Sequence, residues 1–180
     1  MQKLVTIILA AGEGKRMKSS VAKVAHEVCG QPMLSYVSDA AVETGSDSLV
    51  LVLGHMADQV EKIAPEGAIC VYQRQQLGTG HAVMQAQDIL RKAEGTALIL
   101  CGDTPAITGG TLKAAYQYHQ SQGNQVTLLT ADVDDPFGYG RVIRDSQGSV
   151  KAIVEEKDAD SEQKKITEIN SGIYFFNIDS

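Results

Sequence analysis

Residues 7–23 constrain the fold of this chain more than any other stretch, because they join an apolar strand to a loop of small residues and cations. Leu4, Val5, Ile7, Ile8 and Leu9 make the strand. Ala10, Ala11, Gly12 and Gly14 make the loop, which then carries Lys15, Arg16, Lys18 and Lys23. Small residues let backbone N–H groups approach a ligand closely, and the cations suit a polyphosphate. An open α/β sheet holds its ligand where such strands end. The expectation is an α/β fold with a nucleoside triphosphate site after the first strand.

The rest of the chain repeats the strand–helix alternation for two thirds of its length. Strands are predicted at 3–9, 48–53, 68–72, 96–101 and 125–133. Between them lie helices at 57–63, 80–93 and 108–122, and one that opens at Pro32 and stops at Gly45. The run 96–101 is almost wholly apolar, as a strand buried on both faces should be. After residue 133 the pattern changes to short strands at 141–144, 150–155 and 171–177, with a hairpin turn at 146–148. A charged stretch, 156–165, is expected to be a solvated loop or helix. The expected organisation is one domain over 1–180, with a nucleotide-binding half at 1–133 and a mixed-sheet half at 134–180. The chain stops directly after a strand, so the domain reads as incomplete at its C-terminus.

Composition narrows the class. With 43% hydrophobic and 21% charged residues, the chain has the make-up of a soluble globular protein. It has neither a membrane-length apolar run nor a signal-peptide layout. Cys29, Cys70 and Cys101 are too far apart, and odd in number, for a disulfide framework or a zinc knuckle, which points to a reduced cytoplasm. The net charge of −6 argues against nucleic acid as a partner. Residues 1–25 nevertheless hold five cations against Glu13 alone, which suits a small anionic ligand.

Four motifs carry chemistry. The opening loop lacks the Gly-x-x-x-x-Gly-Lys pattern of a Walker loop, and Met17 stands where a dinucleotide fingerprint needs its third glycine. Leu-Ala-Ala-Gly-x-Gly-x-Arg-Met followed by Lys23 instead resembles the signature of nucleotidyltransferases that activate sugar phosphates and related compounds. The second motif runs from Gln73 to Ala82, where a side-chain amide offers paired donor and acceptor groups to a pyrimidine edge, and Gly78 and Thr79 permit backbone contact. His81 within it has no carboxylate or metal-ligand spacing and reads as a packing or capping residue. Third, Cys101-Gly102-Asp103 ends the apolar strand at 96–101, placing a hard oxygen ligand where Mg²⁺ would serve triphosphate chemistry. A turn aspartate before Pro105 is the bland alternative. Fourth, Gly140, Glu155 and Asn170 offer an N–H, a carboxylate and an amide suited to sugar hydroxyls and an acetamido group.

With all four motifs in order, the chain resembles the N-terminal half of the bifunctional bacterial N-acetylglucosamine-1-phosphate uridyltransferase / glucosamine-1-phosphate acetyltransferase family over essentially its whole length. The resemblance implies a Rossmann-like nucleotidyltransferase domain, a mostly parallel sheet flanked by helices with a mixed-sheet sugar-binding half. It implies joining of UTP and N-acetylglucosamine 1-phosphate to give UDP-N-acetylglucosamine and pyrophosphate, with a product that feeds peptidoglycan and lipopolysaccharide synthesis. Carried over by residue, Leu9, Ala10, Ala11 and Gly12 cradle the nucleotide, with Arg16 and Lys23 as the catalytic cations on its phosphates. Gln73, Gly78 and Thr79 bind the uracil end. Cys101, Gly102 and Asp103 line the ribose and phosphates, with Asp103 ligating Mg²⁺, while Gly140, Glu155 and Asn170 hold the sugar.

Three departures qualify the match. Ala22 stands before Lys23 where the family usually has proline, and is expected to loosen that loop. Cys101 replaces a commonly larger residue. The family's second Mg²⁺ ligand and its trimer-forming β-helix domain would lie beyond Ser180, so neither acetyl transfer nor trimerisation is expected of this chain. Two other readings stay open at this level. One is a nucleotidyltransferase for a different sugar or alcohol phosphate, and the other is an inactive nucleotide-sugar-binding fragment.

Overall fold

Strand β1 (Leu4–Ala10) is buried along almost its whole length, and the architecture is built outward from it. The computed structural model describes residues 3–14 and 17–178. β1 is paired in parallel on both sides, to β4 (Ser48–Leu53) and to β6 (Thr96–Cys101). β4 in turn pairs in parallel with β5 (Ile69–Tyr72). A strand flanked on both sides has no exposed backbone edge, and apolar side chains on both of its faces can be covered. Leu4, Val5, Ile7 and Ile8 are accordingly buried, as are Leu98 and Leu100 in β6.

The chain divides into two units. The first comprises Met1–Thr127 and Tyr174–Ser180, and the second Leu128–Ile173. In the first, one face of the sheet packs Val5, Ile7, Val50, Val52 and Ile99 against Ala82 and Ala86. Helices α1 (Met33–Thr44) and α5 (Gly109–Gln122) pack on one another. His119 of α5 lies with its ring 5.9 Å from that of Phe175, and its Nδ1 is 2.9 Å from Thr127 Oγ1. The residues of β10 (Glu168–Asn177) from Tyr174 onward pair antiparallel with β6.

In the second unit, β8 (Arg141–Arg144) pairs antiparallel with β9 (Val150–Val154) around the turn at 145–149, as the hairpin expectation had it. Ile169 of β10 pairs with Arg141, and β7 (Val126–Asp132) also pairs with β10. The charged stretch 156–165 is turns closing with a short 3₁₀ helix, Gln163–Lys165.

Local corrections have identifiable causes. The helix expected at 80–93 is two pieces, α3 (Thr79–Met84) and α4 (Gln87–Leu90). The backbone there tightens to Gln85 N–H→Ala82 O and Ala86 N–H→Val83 O, while the Gln85 side chain donates to the freed His81 carbonyl at 2.9 Å. A small hairpin, β2 (Glu27–Val28) with β3 (Gln31–Pro32), precedes α1, so Pro32 is the last residue before the helix. Helix α2 (Ala57–Glu61) is shorter than expected. No helix among the described residues is long and apolar enough to cross a membrane.

Gly95 enters β6 at φ +100°, where an added Cβ would collide with the Lys3 carbonyl oxygen. That carbonyl accepts the Thr96 N–H at 2.9 Å. Gly95→Ala is therefore expected to cost about 2 kcal/mol or more, from strain plus displacement of β1. Thermal unfolding should show a midpoint lower by roughly 4–8 °C. An unchanged midpoint would contradict this.

Candidate functional site

The parallel register decides which loops meet. Leu9 pairs with Cys101, Ala10 with Leu53, and Leu53 with Tyr72, so β1, β6, β4 and β5 all end at one level. The loops leaving them hold one another closely. Gly102 N–H donates to Leu9 O at 2.9 Å, and a Cβ at Gly54 would sit 2.8 Å from the Ala11 Cβ. Gln76 Nε2 donates to Ala11 O at 2.9 Å.

Between these loops lies a cavity of about 310 Å³, lined by Leu9, Ala11, Gly12, Gln73, Gln76, Gly78, Thr79, Ala82, Cys101 and Asp103. Eight of these are residues singled out from the sequence. Ala10 is buried behind it, and Gly102 is packed so that a Cβ would lie 3.1 Å from Leu9 O and from Val24. Gly12 and Gly78 have open space where a side chain would be, so their backbone is accessible. Arg16 lies outside the described residues. A second, more polar cavity of about 500 Å³ adjoins this one through Gln73 and Gln76 and also reaches Glu13, His55 and Arg74.

Two residues were not legible from the sequence in the roles they take. Gln76 is one, a second amide between cavity and loop. The other is His81, whose Nδ1 lies 3.0 Å from Gln73 Nε2. Gln73 Nε2 also donates to Gly78 O at 3.0 Å. The donor side of the nearly buried Gln73 amide is thus committed within the protein. What remains for a ligand is its acceptor capacity, not the donor–acceptor pair expected from the sequence.

Lys23 begins the 3₁₀ turn Lys23–Ala25, and its Nζ forms an ion pair with Asp103 Oδ2. Both side chains keep about a third of their surface exposed. The pair is therefore reachable by an anion and a cation competing for its two ends. Gly14, at φ +60°, leaves room for the lysine stem, because a Cβ there would come within 3.0 Å of the Lys23 Cβ. The loop ahead of Lys23 is not loosened by Ala22. Ala22 is buried, and its N–H donates to Gln59 Oε1 at 2.8 Å, a bond that proline could not make.

In the second unit, Gly140, Glu155 and Asn170 come together. A Cβ on Gly140 would lie 3.2 Å from Glu155 Oε1, and Asn170 N–H donates to Gly140 O at 2.8 Å. Asn170 Oδ1 accepts from Gly172 N–H at 3.0 Å. Beneath them Arg141, 2% exposed, donates to Glu156 Oε2 at 2.6 Å and to Tyr139 O, and Glu156 Oε2 also accepts from Gly138 N–H at 3.3 Å. This pair of a buried Arg141 and a partly exposed Glu156 has no local signal in the sequence, because the burial of Arg141 depends on how the strands pack.

The family described as Nucleotidyl transferase matches residues 5–180. The chain belongs to the nucleotidyl transferase family. Among curated relatives, it is 53% identical over 178 residues to the Bifunctional protein GlmU of Caldanaerobacter subterraneus subsp. tengcongensis, covering 99% of this chain. The Bifunctional protein GlmU of Acetivibrio thermocellus is 49% identical over the same share. The chain spans 39% of the length of each. Among solved structures, a UDP-glucose pyrophosphorylase complexed with UDP-glucose superposes with TM-score 0.78 at 19% identity, covering 99% of this chain and 77% of that one. A UDP-glucose pyrophosphorylase from Acinetobacter baumanii gives 0.75 at 22% identity, covering 99% of this chain and 75% of that one. At those identities the likeness is one of fold, and it agrees with the mostly parallel sheet and flanking helices.

Two electrostatic consequences are open to test. Burial first, and then the Asp103 carboxylate, push the Cys101 thiol up to about 11, while Lys23 pulls it down. Cys101 should therefore resist iodoacetamide at pH 8, whereas exposed Cys29 is alkylated. Lys23→Ala should raise the Cys101 value further. Rapid alkylation of Cys101 in the folded protein would refute this picture of the cavity floor.

The Arg141 hydrogen bond, aided by the Gly138 N–H and Lys164, holds the Glu156 carboxyl below its ordinary value despite some desolvation. A folded-state value below the unfolded one stabilises the protein above about pH 4.3, and that stability is lost as pH falls through the depressed value. Thermal midpoints should thus drop on acidification below about pH 4.3. Glu156→Gln should be less stable at neutral pH and show a shallower acid slope. An identical slope in the variant would exclude the contribution.

Proposed function

We propose that this chain is the uridylyl-transferring part of a UDP-N-acetylglucosamine-forming enzyme of the cytoplasm, with UTP and N-acetylglucosamine 1-phosphate as substrates and pyrophosphate as by-product. The observation that carries the reading is that three separate motifs line one cavity at the ends of β1 and β6, with Lys23 and Asp103 in an ion pair. The motif resemblance and the roughly half-identity to the GlmU proteins support it further. Its volume lies in the range of small-molecule pockets.

In this reading Leu9, Ala10, Ala11 and Gly12 cradle the nucleotide and Gln73, Gly78 and Thr79 meet the base. The acceptor capacity of Gln73 then faces a donor on the pyrimidine edge. Cys101 and Gly102 close the cavity below. Arg16 and Lys23 offset phosphate charge, and Gly140, Glu155 and Asn170 hold the sugar. An oxygen of the sugar 1-phosphate attacks the α-phosphorus of UTP, forming one P–O bond as the bond to the pyrophosphate leaving group breaks. The nucleophile is already anionic, so no general base is needed, and the residues contribute positioning and charge stabilisation.

Mg²⁺ takes one or two carboxylates together with phosphate oxygens. Asp103 at the cavity edge fits as such a ligand, and among the described residues no cluster of three or more metal-binding side chains forms a cage of its own. Bound there, the ion would supply neutralisation of triphosphate charge.

The test is pyrophosphate release with UTP, CTP, GTP and dTTP, each against N-acetylglucosamine 1-phosphate and glucose 1-phosphate. UTP with the amino sugar should be the preferred pair. Lys23→Ala should lower turnover about 100-fold with little change in melting temperature. Near-full turnover in that variant would remove Lys23 from the phosphate clamp. Binding of UTP with no Mg²⁺-dependent release would favour a binding module instead.

A further inference from the structure

We propose that Gln59 is a positioning residue for Lys23, an amide clamp from α2 that holds the lysine-bearing loop in its phosphate-facing conformation. The Gln59 side chain makes two hydrogen bonds to that loop, 37 and 39 residues away. Its Oε1 accepts the Ala22 N–H at 2.8 Å, and its Nε2 donates to the Ser20 carbonyl at 3.0 Å. A single planar amide therefore bridges both sides of Val21, in the manner of a paired strand contact.

The remaining hydrogen bonds described for residues 19–25 are local. Val21 N–H donates to Ser19 Oγ, Ala25 N–H to Ala22 O, and no side chain caps the 3₁₀ turn that starts at Lys23. Ala22 is almost fully buried and extended, with φ −55° and ψ 139°. A buried N–H must have an acceptor or else move toward water, so loss of Gln59 pulls Ala22 out of place. Ala22 is the residue that launches the Lys23 turn, and its displacement redirects the lysine away from Asp103. Gln59 is half-buried and lines neither of the two cavities described above. It acts through the loop rather than on a ligand.

The geometric part of this inference stands without any assigned reaction, whereas its catalytic consequence rests on the phosphate role proposed for Lys23. The experiment therefore reads the two separately. Lys23 is labelled with an amine-reactive ester and quantified by peptide mass spectrometry. Amide exchange at Ala22 is followed in parallel in the wild type, Gln59→Leu and Gln59→Glu. Gln59→Leu should label Lys23 several-fold faster and exchange the Ala22 amide roughly fivefold faster, the size of one lost neutral hydrogen bond. Gln59→Glu retains the acceptor and should keep Ala22 protected, which carries the test if the leucine variant folds poorly. In pyrophosphate release, Gln59→Leu should lose about tenfold in kcat/KM, and Gln59→Glu should recover most of it. Unchanged Lys23 labelling in Gln59→Leu overturns the inference, whatever the turnover. A wild-type chain that releases no pyrophosphate, while labelling rises in the variant, supports the clamp and removes the assigned reaction instead.

Discussion

The parallel pairing of β1 between β4 and β6 is the constraint on which the cavity at the strand ends depends. Parallel strands in register end together, so the loops that follow them are delivered to one place. Leu9 against Cys101 brings Gly102 under the first loop, and Leu53 against Tyr72 brings Gln73 to the same level. A slip of one residue in any pair would turn every side chain of that strand to the opposite face. Because both faces of β1 are buried, the cost of such a slip is the lost fit of side chains of different size and shape. Packing of Val5, Ile7 and Ile8 thus fixes the distance between residues that are ninety positions apart.

On that frame the site uses few charges. Lys23 neutralises Asp103, which lines the cavity, while both stay partly wet, so neither bears the cost of a fully buried ion. The Arg141–Glu156 pair in the second unit is of another kind, with the cation buried and the carboxylate partly exposed. Arg141 is almost wholly enclosed, and its guanidinium is held by Glu156 and the Tyr139 carbonyl, directly beside Gly140. A planar, multiply hydrogen-bonded group of this sort fixes the orientation of the turn at 138–140 more than it adds stability.

Much of the fold was legible because periodicity and breakers act locally. The strand at 96–101, the helix stop at Gly45 and the hairpin around residue 147 are each set by residues within a few positions of one another. What was missed depended on side chains competing with the backbone. Gln85 takes the His81 carbonyl and divides one apolar, helix-periodic stretch into α3 and α4. Ala22 reads as a weak point beside the usual proline, yet Gln59 supplies an acceptor from another element. Gln73 reads as a donor–acceptor pair, but its donor hydrogens are spent on Gly78 and His81.

The α/β alternation, the small-residue loop after the first strand and the identity of the polar groups available to a ligand are written in the local order of residues. These follow from side-chain size, chirality and period, which neighbours in the chain express without help. Which of those groups face one cavity, the meeting of Lys23 with Asp103 and the burial of Arg141 are set by the packed fold. Each of those outcomes is a distance between residues far apart in sequence. Strand register and packing set such distances, and no local pattern encodes them.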